Sequence, residues 1–185
     1  MKQAAGGETT ARIMFEDEAR FGRISDPRCC WAPHGTRPTV PLQLVREYTH
    51  AYAAVSPLDG VLDSLILPDV DTDSMSLFLS VVAERHPDET ILMFMDHAGW
   101  HKARALIIPT NVRLLNLPPY SPELNPAEHL WEEIREKWFP NLVFQSITAV
   151  EDTLMEALAT LEGDVQRVAA LTGFDWIISG IKMAT

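Results

Sequence analysis

Residues 91–96 read ILMFMD. An unbroken apolar run of this length predicts a strand buried on both faces, as in a parallel sheet covered by helices. The neighbours agree. Upstream, Asp71 or Thr72 is placed to cap a helix whose apolar residues Met75, Phe78, Leu79 and Val82 fall at helical spacing. Downstream, a short helix over about 100–107 leads to a strand at 112–116, VRLLN. Strand, crossover, strand is the parallel unit.

Farther upstream the pattern changes. Residues 48–55, YTHAYAAV, and 61–67, VLDSLIL, read as two strands joined by SPLDG, and Asp-Gly is a strong hairpin signal. Residues 11–16, ARIMFE, predict a first strand ending at Asp17. Residues 21–47 look irregular, with a short extended piece around Cys29–Trp31 and a turn at His34-Gly35. Past residue 116 come a proline-rich loop and a helix over about 126–138, with Ala127, Trp131, Ile134 and Trp138 as its apolar stripe. Helices over about 148–161 and 164–171 follow, and the tail GFDWIISGI is apolar enough to dock on the body. The expected architecture is α/β: a mixed five-stranded sheet flanked by helices.

With 185 residues the chain can bury one sizeable core, so one domain is expected over 11–185, after a disordered lead-in or linker stub at 1–10. No 18-residue apolar run is present, and MKQAAGGETT lacks the core of a signal peptide. The two cysteines, Cys29 and Cys30, are adjacent, which disfavours a disulfide and fits a reduced, cytoplasmic setting. No CxxC, GxxxxGKS or GxSxG motif appears, which leaves paired-cysteine zinc, kinase and serine-hydrolase readings without support. The net charge of −11 argues against bulk nucleic-acid affinity. Yet residues 20–46 hold Arg20, Arg23, Arg28, Arg37 and Arg46 against Asp26 as their one acid. Either this is a basic loop system that meets phosphates, or its arginines pair with the acidic remainder.

Two predicted strands end in aspartate, FED at 15–17 and FMD at 94–96. Functional groups of α/β sheets gather at the carboxyl ends of strands. Two such carboxylates and a third from a helix make the hard-oxygen set that Mg²⁺ or Mn²⁺ takes, and two ions about 3.5–4 Å apart can act on a phosphodiester. Taken alone, the aspartates are equally well turn residues. Glu128 is the candidate third group. Asn125 suits an N-cap, Pro126 suits N1, and Glu128 at N3 is close to a capping box, folding back to the Asn125 amide. It also lies on the flank of the apolar stripe, where it can lean toward the strand ends, so cap and ligand both remain open.

Other residues carry paired readings too. His97 and His101 stand at a zinc-compatible i, i+4 spacing, but without a further convincing ligand local hydrogen bonding fits them better. Lys102 and Arg104 meet phosphates or simply face solvent. Tyr120 and Ser121 are explained by the turn they sit in, and their hydroxyls are also free to meet a phosphate. Glu18 reads as pointing away from Asp17, and Glu132, Glu133 and Glu136 as a solvated helix face.

FEDEARF at 15–21, WAPHGTRP at 31–38, MDHAGWH at 95–101, LPPYSPELNPAEHLW at 117–131 and LTGFDWI at 171–177 occur in this order. Together with the aliphatic hairpin they resemble the catalytic domain of IS630-like bacterial DDE transposases, of the IS630/Tc1/mariner superfamily. The resemblance spans about residues 12–178. It implies a ribonuclease-H-like fold and a catalytic, metal-binding triad of Asp17, Asp96 and Glu128. It implies two Mg²⁺ ions, with Mn²⁺ as substitute, and cleavage of DNA at transposon ends followed by transfer of the 3′-hydroxyl into target DNA, with TA as the target. His97 stands where the family usually has Asn. Double-stranded DNA is the implied partner, with Arg20, Arg23, Arg37, His97, His101, Lys102 and Tyr120 as candidate contacts. Self-association is expected in the DNA complex, and a monomer or weak dimer without it. An N-terminal helix-turn-helix part is expected to be missing from this chain, whether encoded in a separate frame, cut away or lost, and a bacterial protein of this kind is nucleoid-associated when bound. The rivals are a catalytically decayed remnant that docks DNA or dimerises, and a general RNase-H-like nuclease.

Overall fold

The computed structural model describes residues 10–96 and 105–184. The strands are β1 (Thr10–Ile24), β2 (Leu44–Val55), β3 (Leu62–Leu67), β4 (Glu89–Met95) and β5 (Val112–Asn116). The helices are α1 (Thr72–Arg85), α2 (Glu128–Lys137), α3 (Ile147–Glu162), α4 (Val165–Thr172) and α5 (Asp175–Ala184). One mixed sheet runs β3-β2-β1-β4-β5; the first three strands pair antiparallel, and β4 and β5 join β1 in parallel. The helix expected over 100–107 falls mostly outside the described residues.

The sheet separates two cores. On one face α1 lays Met75, Phe78, Leu79 and Val82 on Met14, Tyr52, Ile91, Met93 and Met95. On the other, α2 to α5 cover Phe15, Ala19, Phe21 and Val55 with Trp131, Ile134, Leu154, Leu158 and Ile177. The starts of α1, α3 and α4 are each set by a side chain that accepts from an otherwise orphaned amide. Asp71 accepts from Ser74 at 2.8 Å, Ser146 from Ala149 at 3.1 Å, and Asp164 from Arg167 at 3.0 Å. The docked tail is itself a helix, with Ile177 and Ile181 buried.

Three sequence expectations need correction. The first strand does not end at Asp17. Its parallel ladder with β4 stops at Phe15↔Phe94, but its antiparallel ladder with β2 continues to Ile24↔Leu44. Gly22 and Ile24 resemble loop residues, yet β2 alone pairs with them, at Tyr48 and Leu44, with an irregularity at Arg23 between them, and β2 begins at Leu44, ahead of Tyr48. Next, β4 is not buried on both faces. Ile91, Met93 and Met95 are buried, whereas Leu92 and Phe94 are half-buried, because α5 leaves an apolar cleft beside Phe94. Finally, Glu133 is not on a solvated face; it pairs with Arg167 and ties α2 to α4. Residues 25–43 are irregular as expected, with no strand at Cys29–Trp31 and a turn at His34-Gly35.

The β2–β3 hairpin closes through Gly60 at φ +73°. A Cβ there would stand 1.8 Å from the Val165 carbonyl oxygen. Both the backbone conformation and the contact with α4 demand glycine. Gly60→Ala is expected to cost at least about 2 kcal/mol, read as a lower urea midpoint at unchanged m-value. An unchanged midpoint would mean that this turn is not packed on α4.

Candidate active site

Phe15 and Phe94 are partners in the β1–β4 ladder, and their rings stack at 5.1 Å. Side chains two residues on return to the same face. Those residues are Asp17 and Asp96, so the carboxylates follow just past the last shared rung. There β4 stops and β1 runs on, which opens a cleft at the sheet's carboxyl end. The backbone bond from Leu117 N–H to the Met95 carbonyl, 2.8 Å, brings the proline loop alongside.

That loop delivers Glu128. Pro122–Leu124 make one 3-10 turn, and Asn125 then turns extended. The Asn125 side chain does two things. Its Nδ2 donates to the Glu16 carbonyl on β1 at 2.9 Å, and its Oδ1 accepts from Ala127 N–H at 3.2 Å. The expected capping box is therefore corrected: the Asn125 backbone N–H donates to the Pro122 carbonyl at 2.9 Å, and α2 begins at Glu128 itself. With that amide engaged, Glu128 is not drawn back as a cap, and it is exposed toward the cleft.

Asp17, Asp96 and Glu128 thus line one cleft of about 430 Å³, with Pro118, Tyr120 and Asn125. Asp17 is half-buried, and its Oδ2 accepts from Trp131 Nε1 at 2.8 Å. Burial first, and the charge of Glu128 second, push its carboxyl up to about 8, although the Trp131 bond pulls the other way. Like charges gathered in a low-dielectric pocket are arranged for a cation. Among the described residues, no three acidic, histidine or cysteine side chains are already drawn tightly enough together to hold a metal ion. The donor chemistry fits a hard divalent cation. Glu16 points to the α1 face and is buried; burial, then Glu18, Asp17 and Asp96, raise its carboxyl well above the usual range.

The DNA-contact candidates scatter. Tyr120 is fully exposed at the cleft rim with φ +57°, an uncommon backbone for a bulky residue. Arg20 is exposed and lies over the Tyr48 ring. Arg23 is engaged by Glu47 and the Phe144 carbonyl. Arg37 is exposed in the irregular segment. His97, His101 and Lys102 fall outside the described residues. Two functional-looking roles were missed in the sequence. The need of a buried indole N–H for a partner could have flagged Trp131; nothing in the sequence flags the bond from Asn125 to β1.

Residues 12–151 match the family model of the DDE superfamily endonucleases. The chain belongs to that family. A relative from Sinorhizobium fredii (strain NBRC 101917 / NGR234), described as uncharacterized protein y4pE/y4sA, is 36% identical over 99 residues, covering 53% of this chain and 73% of that protein. The DDE fold here is also that of Mos1 transposase. The Mos1 paired-end complex with the left transposon end superposes with TM-score 0.60 at 18% identity over 88% of this chain and 55% of that one. A pre-cleavage Mos1 transpososome gives TM-score 0.63 at 17% identity over 86% and 53%. The chain spans about half the length of these solved transposases. Among the described residues, no helix is long and apolar enough to cross a membrane.

Proposed function

We propose that this domain cleaves double-stranded DNA at transposon ends and joins the freed 3′-hydroxyl to target DNA, with Asp17, Asp96 and Glu128 holding divalent cations. The observation that carries the reading is the convergence of three carboxylates, from β1, from just past β4 and from α2, on one cleft. Mos1 complexes have been solved with Mn and with Mg, which supports Mg²⁺ or Mn²⁺ as the ions here. When bound, such ions lower the pKa of an attacking water or hydroxyl and stabilise the leaving oxygen. The protein's own part is positional. Trp131 orients Asp17, Asn125 fixes where α2 starts, and the proline loop walls the cleft. Asp17 must release its proton to serve as ligand, so cation affinity rises with pH.

Partners follow from the same reading. Work on paired ends implies self-association in the DNA complex, and terminal-repeat recognition is assigned to a helix-turn-helix part acting with this domain. TA is the proposed target.

The test is incubation of the protein with a labelled duplex, Mg²⁺ and a target plasmid. Nicked substrate together with a joined product is the expected result. Nicks without joined product would make the chain a general nuclease. One observation favours the decayed-remnant reading: His97 stands where the resembled family usually has Asn. Absence of both products, with no Mn²⁺ bound, would install it.

A further inference from the structure

A second concave site lies along the same face, past the cleft. It is a cavity of about 170 Å³ whose lining includes Arg20, Arg28 and Arg135, with Asp26 as the acid among them. Arg28 is already paired with Asp26 at 3.0 Å. For Arg20 and Arg135, no carboxylate lies within ion-pair distance among the described residues. Each is instead laid on an aromatic face, Arg20 over Tyr48 at 4.4 Å and Arg135 over Phe21 at 5.1 Å. Stacking fixes a guanidinium plane and leaves its N–H edge open to an acceptor. Burial, then the charge of Arg28, lowers the Arg135 pKa from its ordinary value, the cost of leaving a cation partly desolvated beside another.

The walls of this cavity are built. Asn141, at φ +54°, accepts from the Arg28 N–H at 2.9 Å and donates back to its carbonyl at 3.2 Å. Arg23 Nε donates to the Phe144 carbonyl at 3.0 Å. The loop after α2 is thereby stitched to the end of β1. Gly22 lets Tyr48 lie close across the strand, since a Cβ there would stand 2.4 Å from the ring.

We propose that this arginine cavity grips one backbone phosphate of the DNA strand that enters the carboxylate cleft. The occupant follows from position and charge. Four residues of β1 separate Asp17 from Phe21, about 13 Å, and two turns of α2 separate Glu128 from Arg135, about 10 Å. Both elements therefore lead from the cleft to the cavity. That span is about three to four nucleotides of duplex rise. A planar guanidinium fork matches a phosphodiester, and a contact of this kind positions the strand without reading its sequence. The inference rests on the proposed DNA reaction for its choice of anion.

The test is fluorescence anisotropy of a labelled duplex against salt, starting at low ionic strength. Loss of one phosphate contact should make the slope of log K against log salt shallower by about 0.9. Arg135→Gln and Arg20→Gln, singly and together, are expected to weaken binding, with the double variant losing about one unit of slope. Arg135→Lys keeps the charge and should keep the slope, which separates charge from packing on Phe21. Unchanged affinity and slope in the double variant, or no duplex binding by the parent protein, overturns the proposal. Glu128→Gln separates the two ideas. If it abolishes cleavage while the arginine variants bind like the parent, the cleft reading stands and the cavity reading falls. If the arginines set the slope and the parent never cuts, the reverse holds.

Discussion

Asp17→Asn, Asp96→Ala and Glu128→Gln should each abolish Mg²⁺-dependent nicking, by roughly 10³-fold or more in single-turnover rate. The argument is positional. Each carboxylate comes from a different element, so none of the three substitutes for another. Asn at 17 keeps the shape and can still accept from Trp131, so its loss of activity would reflect charge and not folding. Circular dichroism and an unchanged elution volume would confirm an intact fold. A variant that cuts within about tenfold of the parent rate would remove its residue from the proposed triad.

The second large effect concerns stability, and its sign is opposite. In the folded chain Asp17 titrates near 8, against 3.8 for an ordinary aspartate. Between those values the folded state holds a proton that the unfolded state has released. Stability attributable to this group is therefore full below pH 3.8, falls as pH rises through the window, and levels off above 8. Asp17→Asn removes the slope. At pH 8 the variant should be more stable than the parent by roughly 2–4 kcal/mol, or about 5–10 °C in Tm, allowing for solvent in the cleft. Mn²⁺ should raise the Tm of the parent and leave the variant unmoved. Melting curves that coincide from pH 5 to 9 would show that Asp17 is not desolvated by its surroundings.

The strands, the helix α1 and the placing of two of the three candidate carboxylates at one cleft were legible because they depend on local pattern. ILMFM announces β4, and Asp96 follows as soon as the run stops. Asp17 was legible as a cleft residue but for an incomplete reason. It was read as a strand end, whereas it marks the end of one ladder on a strand that another ladder continues. Pairing on one edge only leaves no mark in the residues of β1 itself. The choice between cap and ligand at Glu128 could not be made from spacing, since Asn125 suits both. The backbone sets the capping box aside by turning the Asn125 N–H to the Pro122 carbonyl, and the ligand role belongs to the proposed reaction. Arg135 was invisible for a different reason: among Glu132, Glu133 and Glu136 it reads as surface, and the ring it stacks on belongs to β1.

Asn125 has a mechanical consequence. A side-chain amide carries one donor end and one acceptor end, like a peptide unit. Placed against Glu16, it acts as a detached rung beyond the point where β4 gives out. Glu128 is therefore tethered to the sheet, three residues from its anchor. The far end of the same helix is held as well, by the Glu133–Arg167 pair to α4 and by Arg135 laid on the Phe21 ring of β1. With both ends pinned and Trp131 and Ile134 buried between them, α2 is a clamped beam, and Glu128 is a peg whose place over the cleft is set by the sheet and not by the loop that leads to it.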